Sequence, residues 1–180
     1  RPKLVGSHNR CWIWGRHVVL ETLRARVWKP QELLLSPRCV ADVGQEVRRL
    51  ASDCWLVIKD VTDEVLGGKS SADGHEGVAA SLPEFPYADV GSWLAAASSP
   101  QRWLILDGIQ DSFNFGAMLR SAGEFEIEAV LIGTVGQSPV NSQVVRSSAG
   151  AVNHVPIARV DVLAAGVARL KQHGVHVVAA

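Results

Sequence analysis

The chain has 180 residues, of which 47% are hydrophobic and 20% are charged, and its formal net charge is zero. This composition is ordinary for a folded globular protein, and no apolar run approaches the roughly 18 residues that a membrane span requires. The three cysteines include no CxxC pair, which excludes a disulfide-rich scaffold. We therefore expect a cytoplasmic protein with one domain or two small ones.

The neutral total hides an uneven distribution of charge along the chain. Residues 1–50 carry ten Lys and Arg against four Asp and Glu, whereas residues 51–100 carry two against eight. A basic first third is compatible with contacts to nucleic-acid phosphates. An uneven distribution of this size is also common in proteins that bind no nucleic acid, so the charge alone does not show whether this chain binds one.

The first half of the chain alternates helical and strand patterns. Apolar residues at helical spacing predict helices over 14–23 and 41–52, and short apolar runs predict strands at 32–35, 55–61 and 77–82. Thr62 is a favoured N-cap for a short helix that follows it. Together these elements predict a compact αβα module.

The second half alternates more regularly after a predicted linker at 83–100, which contains a short helix around 91–97. Strands are predicted at 103–107, 128–132, 153–157 and 175–179, and helices at 115–124, 140–147 and 161–173. Strands that alternate with helical segments imply a parallel sheet. The predicted fold class is therefore α/β, with the small module followed by a parallel-sheet domain.

The most informative segment is 106–122, in which a strand leads through a carboxylate-bearing loop into a helix. Asn114 is a favoured N-cap, and Arg120 follows six positions later, just under two turns. We expect both side chains on roughly the same side of the helix, near a strand end where open α/β sheets bind ligands. Asn114 could be only a cap, and a lone helical Arg is usually a solvated surface residue. The small and apolar neighbours of Arg120 favour a phosphate or carboxylate partner.

Two other segments leave a structural and a functional alternative open. The small residues 147–151 allow the backbone to approach a ligand or another chain closely, or they form a plain tight turn. His75 stands at a loop-to-strand junction, where a functional and a structural role are about equally compatible with the pattern. The six histidines show no HExxH pattern and no repeated spacing, so we expect no metal site.

The segment from Asp107 to Ala122, DGIQDSFNFGAMLRSA, resembles the first conserved motif of the SpoU (TrmH-like) RNA 2′-O-ribose methyltransferases of the SPOUT class. Residues 147–151, followed by HVP at 154–156, resemble the second motif. The segments GRHVVLE at 15–21 and HEGV at 75–78 resemble the substrate-binding domain that precedes many of these enzymes. That domain is similar to small ribosomal-protein-like RNA binders.

The resemblance implies an RNA substrate-binding domain at 10–82, a linker at 83–100 and, at 101–180, a partial methyltransferase domain of the trefoil-knot SPOUT class that lacks the knot region. It implies methyl transfer from S-adenosylmethionine to a ribose 2′-hydroxyl of ribosomal or transfer RNA by a homodimer, without a metal. Arg120 would contact the phosphate of the target nucleotide and help to activate the 2′-hydroxyl, and Asn114 would orient Arg120.

The same resemblance assigns binding residues outside the catalytic pair. Arg16, His17 and His75 would contact RNA together with Arg120. Ala179 and Ala180 lie where the cofactor pocket would begin.

Three departures from the family pattern modify these expectations. Ser112 replaces the usual Pro, which we expect to loosen the loop, and Glu126 replaces the usual Gly, which is unfavourable if that position needs a positive φ. The third motif, which closes the knot and forms most of the cofactor pocket, does not occur in these 180 residues. We therefore expect the N-terminal two thirds of such an enzyme, inactive alone. The alternative is a truncated paralogue that binds RNA without catalysis, and a Rossmann enzyme is disfavoured because no GxGxxG follows a strand.

Overall fold

The computed structural model describes residues 11–68, 74–96 and 102–179. The chain divides into two compact units, Arg1–Pro86 and Tyr87–Ala180. Within the described ranges, no helix combines the length and the apolar character that crossing a bilayer requires.

The first unit is built on a four-stranded mixed sheet. Its described elements, in chain order, are β1 (Cys11–Trp14), α1 (Arg16–Ala25), β2 (Glu32–Leu35), α2 (Ala41–Asp53), β3 (Ile58–Asp60), α3 (Asp63–Gly67) and β4 (Val78–Leu82). The strand order is β1-β4-β2-β3, in which β2 and β3 are parallel and the other pairs are antiparallel. The predicted helices and most of the predicted strands of this half are confirmed.

Two differences from the predicted module concern strands. The sequence pattern does not predict β1, which pairs antiparallel with β4 and makes the sheet mixed. β3 is shorter than the predicted strand 55–61 because Trp55 and Leu56 close the end of α2. Their backbone N–H groups donate to the carbonyls of Ser52 and Ala51, at 3.1 and 2.9 Å.

The core of the first unit lies between the sheet and the helices α1 and α2. Ile13, Leu33 and Val47 are fully buried there. At one side Trp28 packs edge-on against Phe85, with ring centroids 5.0 Å apart. The beginning of the predicted linker is therefore part of the first unit.

The second unit is a three-stranded parallel sheet, with strand order β5-β6-β7, flanked by helices. Its described elements are α4 (Val90–Ala96), β5 (Trp103–Leu106), α5 (Ser112–Glu124), β6 (Ala129–Ile132), α6 (Ser142–Ser147), β7 (Ile157–Arg159) and α7 (Leu163–Gln172). All four residues of the central strand β6 are buried, as expected for a parallel strand that is covered on both faces. The predicted α/β class and parallel sheet are confirmed. The assignment to the trefoil-knot SPOUT class stays a prediction.

Three predicted elements of this half differ from the structure. Part of the predicted strand 153–157 lies in a 3₁₀ turn, Ala151–Asn153, and β7 begins only at Ile157. The predicted strand 175–179 is wrong, because none of its residues forms a ladder with another described strand. Residues 88–96 of the predicted linker are structured too, since Ala88 forms a parallel bridge with Ala158 and the predicted short helix is α4.

Candidate functional site

The loops that follow β5 and β6 lie side by side at the carboxyl edge of the parallel sheet. Ile109 N donates to Gln137 Oε1 at 3.0 Å, and Ser138 N donates to Ile109 O at 2.8 Å. Gly108 and Gly136 have φ values of 68° and 65°, which residues other than glycine rarely adopt. Each loop therefore turns at its glycine and is fixed to the other by hydrogen bonds.

Helix α5 begins at Ser112, and its N-cap is Asp111. Asp111 Oδ1 accepts the backbone N–H of Asn114 at 2.7 Å, and a carboxylate at this end also interacts favourably with the helix dipole. The prediction that Asn114 is the N-cap is therefore wrong. Asn114 lies in the first turn with an exposed side chain, whose amide has no hydrogen-bond partner in the described part of the chain.

Arg120 lies on the exposed side of α5, and its guanidinium has no hydrogen-bond or ion-pair partner among the described residues. Six residues turn a helix by about 600°, so Arg120 stands about 120° around the axis from Asn114 and about 9 Å further along it. The expectation that both residues share one side of the helix is therefore wrong. Asn114 does not orient Arg120 directly, because only residues three or four positions apart face each other.

Ser112 connects the beginnings of two helices. Its Oγ lies 2.8 Å from Ser138 Oγ and accepts a hydrogen bond from Asn141 Nδ2 at 2.9 Å. Asn141 is also the N-cap of α6, since its Oδ1 accepts the N–H groups of Gln143 and Val144. The expectation that Ser112 loosens the loop is wrong, because its hydroxyl fixes the loop to the next one.

Helices α5 and α6 also approach closely at Gly116. A Cβ at that position would stand 1.9 Å from Ser147 Oγ and 2.7 Å from Val144 O, so only glycine fits. The following residues, Ala149 and Gly150, have φ values of 50° and 93° and form a tight turn. Of the alternatives left open for 147–151, the structure favours helix packing and a turn within the chain.

The two loops enclose a shallow cavity of about 300 Å³ beside the first turn of α5. Its lining contains carboxamides and hydroxyls but no charged side chain, which suits a neutral ligand group that forms hydrogen bonds. The lining residues are Gln110, Ser112, Gly136, Gln137, Ser138, Pro139 and Asn141. The Asx-type start of α6 at Asn141 could have been predicted, because Asn precedes an apolar helical pattern.

In the first unit, Arg16 and His17 are exposed at the start of α1. The N-cap Gly15 has no side chain, and the Arg16 N–H donates to Glu76 Oε2 at 2.9 Å, sixty residues away. Arg16 Nε lies 3.6 Å from Glu76 Oε1. Both predicted RNA-binding residues are thus accessible, but Glu76 already partners Arg16.

His75 does not meet the prediction that it contacts RNA. Its exposed fraction is 2%, and its Nδ1 accepts the backbone N–H of Gly77 at 3.1 Å. A buried ring that supports a turn has no surface to offer a ligand. Gly77 is required in that turn, because a Cβ there would stand 2.1 Å from Cys39 N. The structural alternative for His75 is therefore favoured.

The remaining predicted positions are less informative. Ala179 is exposed and lies outside any helix or strand, and Ala180 lies outside the described residues, so their role in cofactor binding stays a prediction. Glu126 has a φ of 52°, so this position does adopt the conformation that favours glycine. Over the described ranges, no group of three His, Cys, Asp or Glu side chains could hold a metal ion.

Comparisons with known proteins match the unit that carries this site. The model of the SpoU rRNA Methylase family matches residues 101–180. A protein of Staphylococcus saprophyticus, whose name assigns it to the TrmH family of tRNA/rRNA methyltransferases, is 29% identical over 169 residues, which are 92% of this chain and 67% of that protein.

Two solved structures share the fold. An RNA 2′-O ribose methyltransferase superposes with a TM-score of 0.67 at 26% identity, over 93% of this chain and 61% of that one. The SpoU methyltransferase AviRb from Streptomyces viridochromogenes, in complex with AdoMet, gives a TM-score of 0.73 at 15% identity, over 95% of this chain and 64% of that one. The chain therefore spans about two thirds or less of the length of these proteins.

Proposed function

Residues 101–180 match the SpoU family of RNA methylases, and on that basis we propose that the chain belongs to this family and transfers a methyl group from S-adenosylmethionine to a ribose 2′-hydroxyl of ribosomal or transfer RNA. The observation that carries the proposal is Arg120, an exposed guanidinium with no partner in the described part of the family-matched unit. The 2′-hydroxyl as the acceptor is supported by the similarity to the solved RNA 2′-O ribose methyltransferase.

Arg120 suits contact with a phosphodiester for a chemical reason. Its planar guanidinium presents donors in a rigid fork that matches two phosphate oxygens, and it stays charged at every physiological pH. A cation held beside the target nucleotide also lowers the cost of the negative charge that develops on the 2′-oxygen as its proton leaves. Positioning of the ribose supplies the rest of what this chain must contribute.

The second contribution comes from the loops at the carboxyl edge of the sheet. Asn114 presents its amide at the first turn of α5, and the neutral cavity beside it offers hydrogen-bonding groups such as Gln110. These groups suit the sugar and base of a nucleotide, whose hydrogen-bonding edges are uncharged. Asn114 acts in this proposal on the substrate, not on Arg120.

S-adenosylmethionine supplies an electrophilic methyl group when it is bound, and the AviRb complex supports its use here. Its contact with Ala179, whose side chain is exposed, stays a prediction. The second candidate function is RNA binding without methyl transfer. A cytoplasmic homodimer, with Arg16 and His17 on its RNA surface, completes the proposal.

The test is a methyl-transfer assay on the chain and on the product of its complete reading frame, with ribosomal and transfer RNA and methyl-labelled S-adenosylmethionine. A methylated 2′-oxygen can no longer attack the neighbouring phosphate, so each modified site resists alkaline cleavage and can be mapped. We expect resistant sites that disappear in the Arg120→Ala variant. Label on a base would contradict ribose methylation, and RNA binding without any transfer would favour the second candidate.

A further inference from the structure

Trp55, between α2 and β3, is the most exposed large hydrophobic side chain in the described part of the chain. Its exposed fraction is 94%, whereas Trp28 in the same unit is 1% exposed. No ring contact or hydrogen bond involves the indole within the described residues. The packing of this unit therefore does not explain why a tryptophan stands there.

The backbone at Trp55 is also unfavourable for this residue type. Its φ is 58°, in the left-handed region, where glycine or asparagine normally follows the end of a helix. A bulky side chain in this region is an outlier that costs free energy, and such strain concentrates at functional sites. The backbone conformation of Trp55 costs free energy, and its side chain buries almost no apolar surface. A tryptophan at this position therefore does not stabilise the folded chain.

Arginines pair with the two carboxylates Glu46 and Asp53 of α2, and Asp53 is the last residue of that helix and stands two residues before Trp55. Arg26 and Arg49 both contact Asp53 Oδ2, at 3.3 and 3.5 Å, and Arg24 and Arg49 both contact Glu46. Three guanidiniums therefore share two carboxylates, and their side chains are 53, 58 and 60% exposed for Arg24, Arg26 and Arg49. The hydrogen bond from Arg49 lowers the pKa of the Glu46 carboxyl, so the network stays ionised at neutral pH.

We propose that Trp55, Arg24, Arg26 and Arg49, here called the Trp55 surface, bind an unpaired segment of the RNA substrate. An exposed indole stacks on any unstacked base, and arginines beside it contact the flanking phosphates. The inference rests on the proposed function, because it takes RNA to be the substrate. It adds a contact in the first unit that lies outside the motif-bearing segments.

A second copy of the chain fits this surface less well than RNA does. A symmetric contact would bring the surface against itself, and each side would then carry three arginines against two carboxylates, an excess of positive charge. Like charges placed together at an interface oppose association. RNA, in contrast, brings one negative charge with each nucleotide, so it complements the excess of guanidinium groups.

The experiment measures binding of a fluorescently labelled single-stranded RNA of mixed sequence to the 180-residue chain. Trp55→Gly should weaken binding about tenfold, because stacking of one base is lost. The same change should leave the thermal midpoint unchanged or raise it, because glycine accepts the positive φ without strain. Trp55→Phe should keep most of the affinity. Val57→Ala, at a residue that is 74% exposed in the same loop, is the matched control and should bind like the parent.

The outcomes separate this inference from the proposed function. Equal RNA affinity of Trp55→Gly and the parent chain would overturn the inference alone, provided that the parent binds RNA. A parent chain that binds no RNA would overturn the inference, and the methyl-transfer assay would decide the proposed function independently. Self-association that is lost in Trp55→Gly while RNA affinity is retained would assign the surface to a second copy and also overturn the inference. Arg49→Ala should reduce the dependence of RNA affinity on salt concentration, as expected for a lost phosphate contact.

Discussion

The two units of the chain differ in the surroundings of their predicted RNA-binding arginines. In the first unit Arg16 pairs with Glu76, and the other exposed cations within 4 Å of a carboxylate include Arg24, Arg26, Arg48, Arg49 and Lys59. In the second unit Arg102 pairs with Glu126, but Arg120 meets no carboxylate among the described residues, although its helix α5 is well packed. Much of the positive charge that the structure describes in the basic first half of the sequence is therefore compensated.

This difference explains why the charge gradient along the sequence is a weak guide to function. Asp53, Asp60 and Glu76 come from the acidic stretch 51–100, and they pair with arginines of the basic stretch 1–50. Exposed pairs of this kind contribute only about 0–1 kcal/mol, so a phosphate can displace the carboxylate at little cost. An unpaired arginine in a motif is therefore more informative than a surplus of arginines.

The largest effect is expected at Arg120. Arg120→Ala in the active protein should lower the rate of methyl transfer by about 10²–10³-fold, the usual loss when one group that stabilises developing charge is removed. The thermal midpoint should not change, since the side chain is exposed and has no partner in the described structure. Arg120→Lys keeps the positive charge but lacks the planar guanidinium, so its rate of methyl transfer should lie between those of the parent and of Arg120→Ala. Initial rates with saturating RNA measure the effect.

The control for Arg120 is Arg48→Ala, which removes an exposed arginine of the first unit that is paired with Asp60. It should leave the rate of methyl transfer within about twofold of the parent rate, because a paired surface arginine contributes little. Equal losses from both variants would show that net charge matters and that the contrast between the two units does not.

The next largest effect concerns the packing of α5 on α6. Gly116→Ala should destabilise the protein by at least about 1–3 kcal/mol, because the new Cβ would stand 2.7 Å from the Val144 carbonyl oxygen. Gly123→Ala in the same helix is the matched control. Its Cβ would meet only Ala151 Cβ at 3.5 Å and Val155 Cγ2 at 3.7 Å, and alanine favours helix by about 1 kcal/mol. Urea unfolding should show opposite signs for the two variants.

Local patterns allowed much of the fold to be predicted. The continuous apolar run of β6 indicates a strand covered on both faces, and the helical spacing in 41–52 indicates α2. The run 175–179 has the same local signature, but a strand also needs a neighbour for its hydrogen bonds, and no local pattern contains that information. The start of β7 was misplaced because the 3₁₀ turn Ala151–Asn153 has apolar residues like those of a strand.

The candidate site could be predicted only in part, because its contacts link distant residues. Arg120 and Asn114 follow from the motif and both are exposed, and their roles stay predictions. The hydrogen bond from Asn141 to Ser112 spans 29 residues, and the one from Arg16 to Glu76 spans sixty. Neither pair has a sequence pattern, so the role of Ser112 was mispredicted from residue type alone.

A smaller effect is expected from Ser112. Ser112→Ala should cost about 1 kcal/mol of stability, because Asn141 Nδ2 loses its acceptor. Ser112→Pro should be no more stable than Ser112→Ala, although proline is favoured at the first position of a helix, because it also lacks the hydroxyl. Ser121→Ala, at an exposed position of α5, is the control and should change little. A proline variant more stable than the parent would contradict the role given to the hydroxyl.

The smallest effect, a change in RNA affinity, is expected from a substitution that leaves a paired arginine of the first unit unpaired. Glu76→Gln keeps an oxygen for the Arg16 N–H but removes the charge beside its guanidinium. If Arg16 contacts RNA, affinity for single-stranded RNA should rise by at most about fivefold, which is the value of one exposed ion pair. The salt dependence of binding should become steeper, since one more cation releases counterions. Glu32→Gln is the control, because it removes the carboxylate that pairs with Lys59 and changes the net charge by the same amount. An equal rise in RNA affinity in Glu32→Gln would show that the effect does not depend on Arg16.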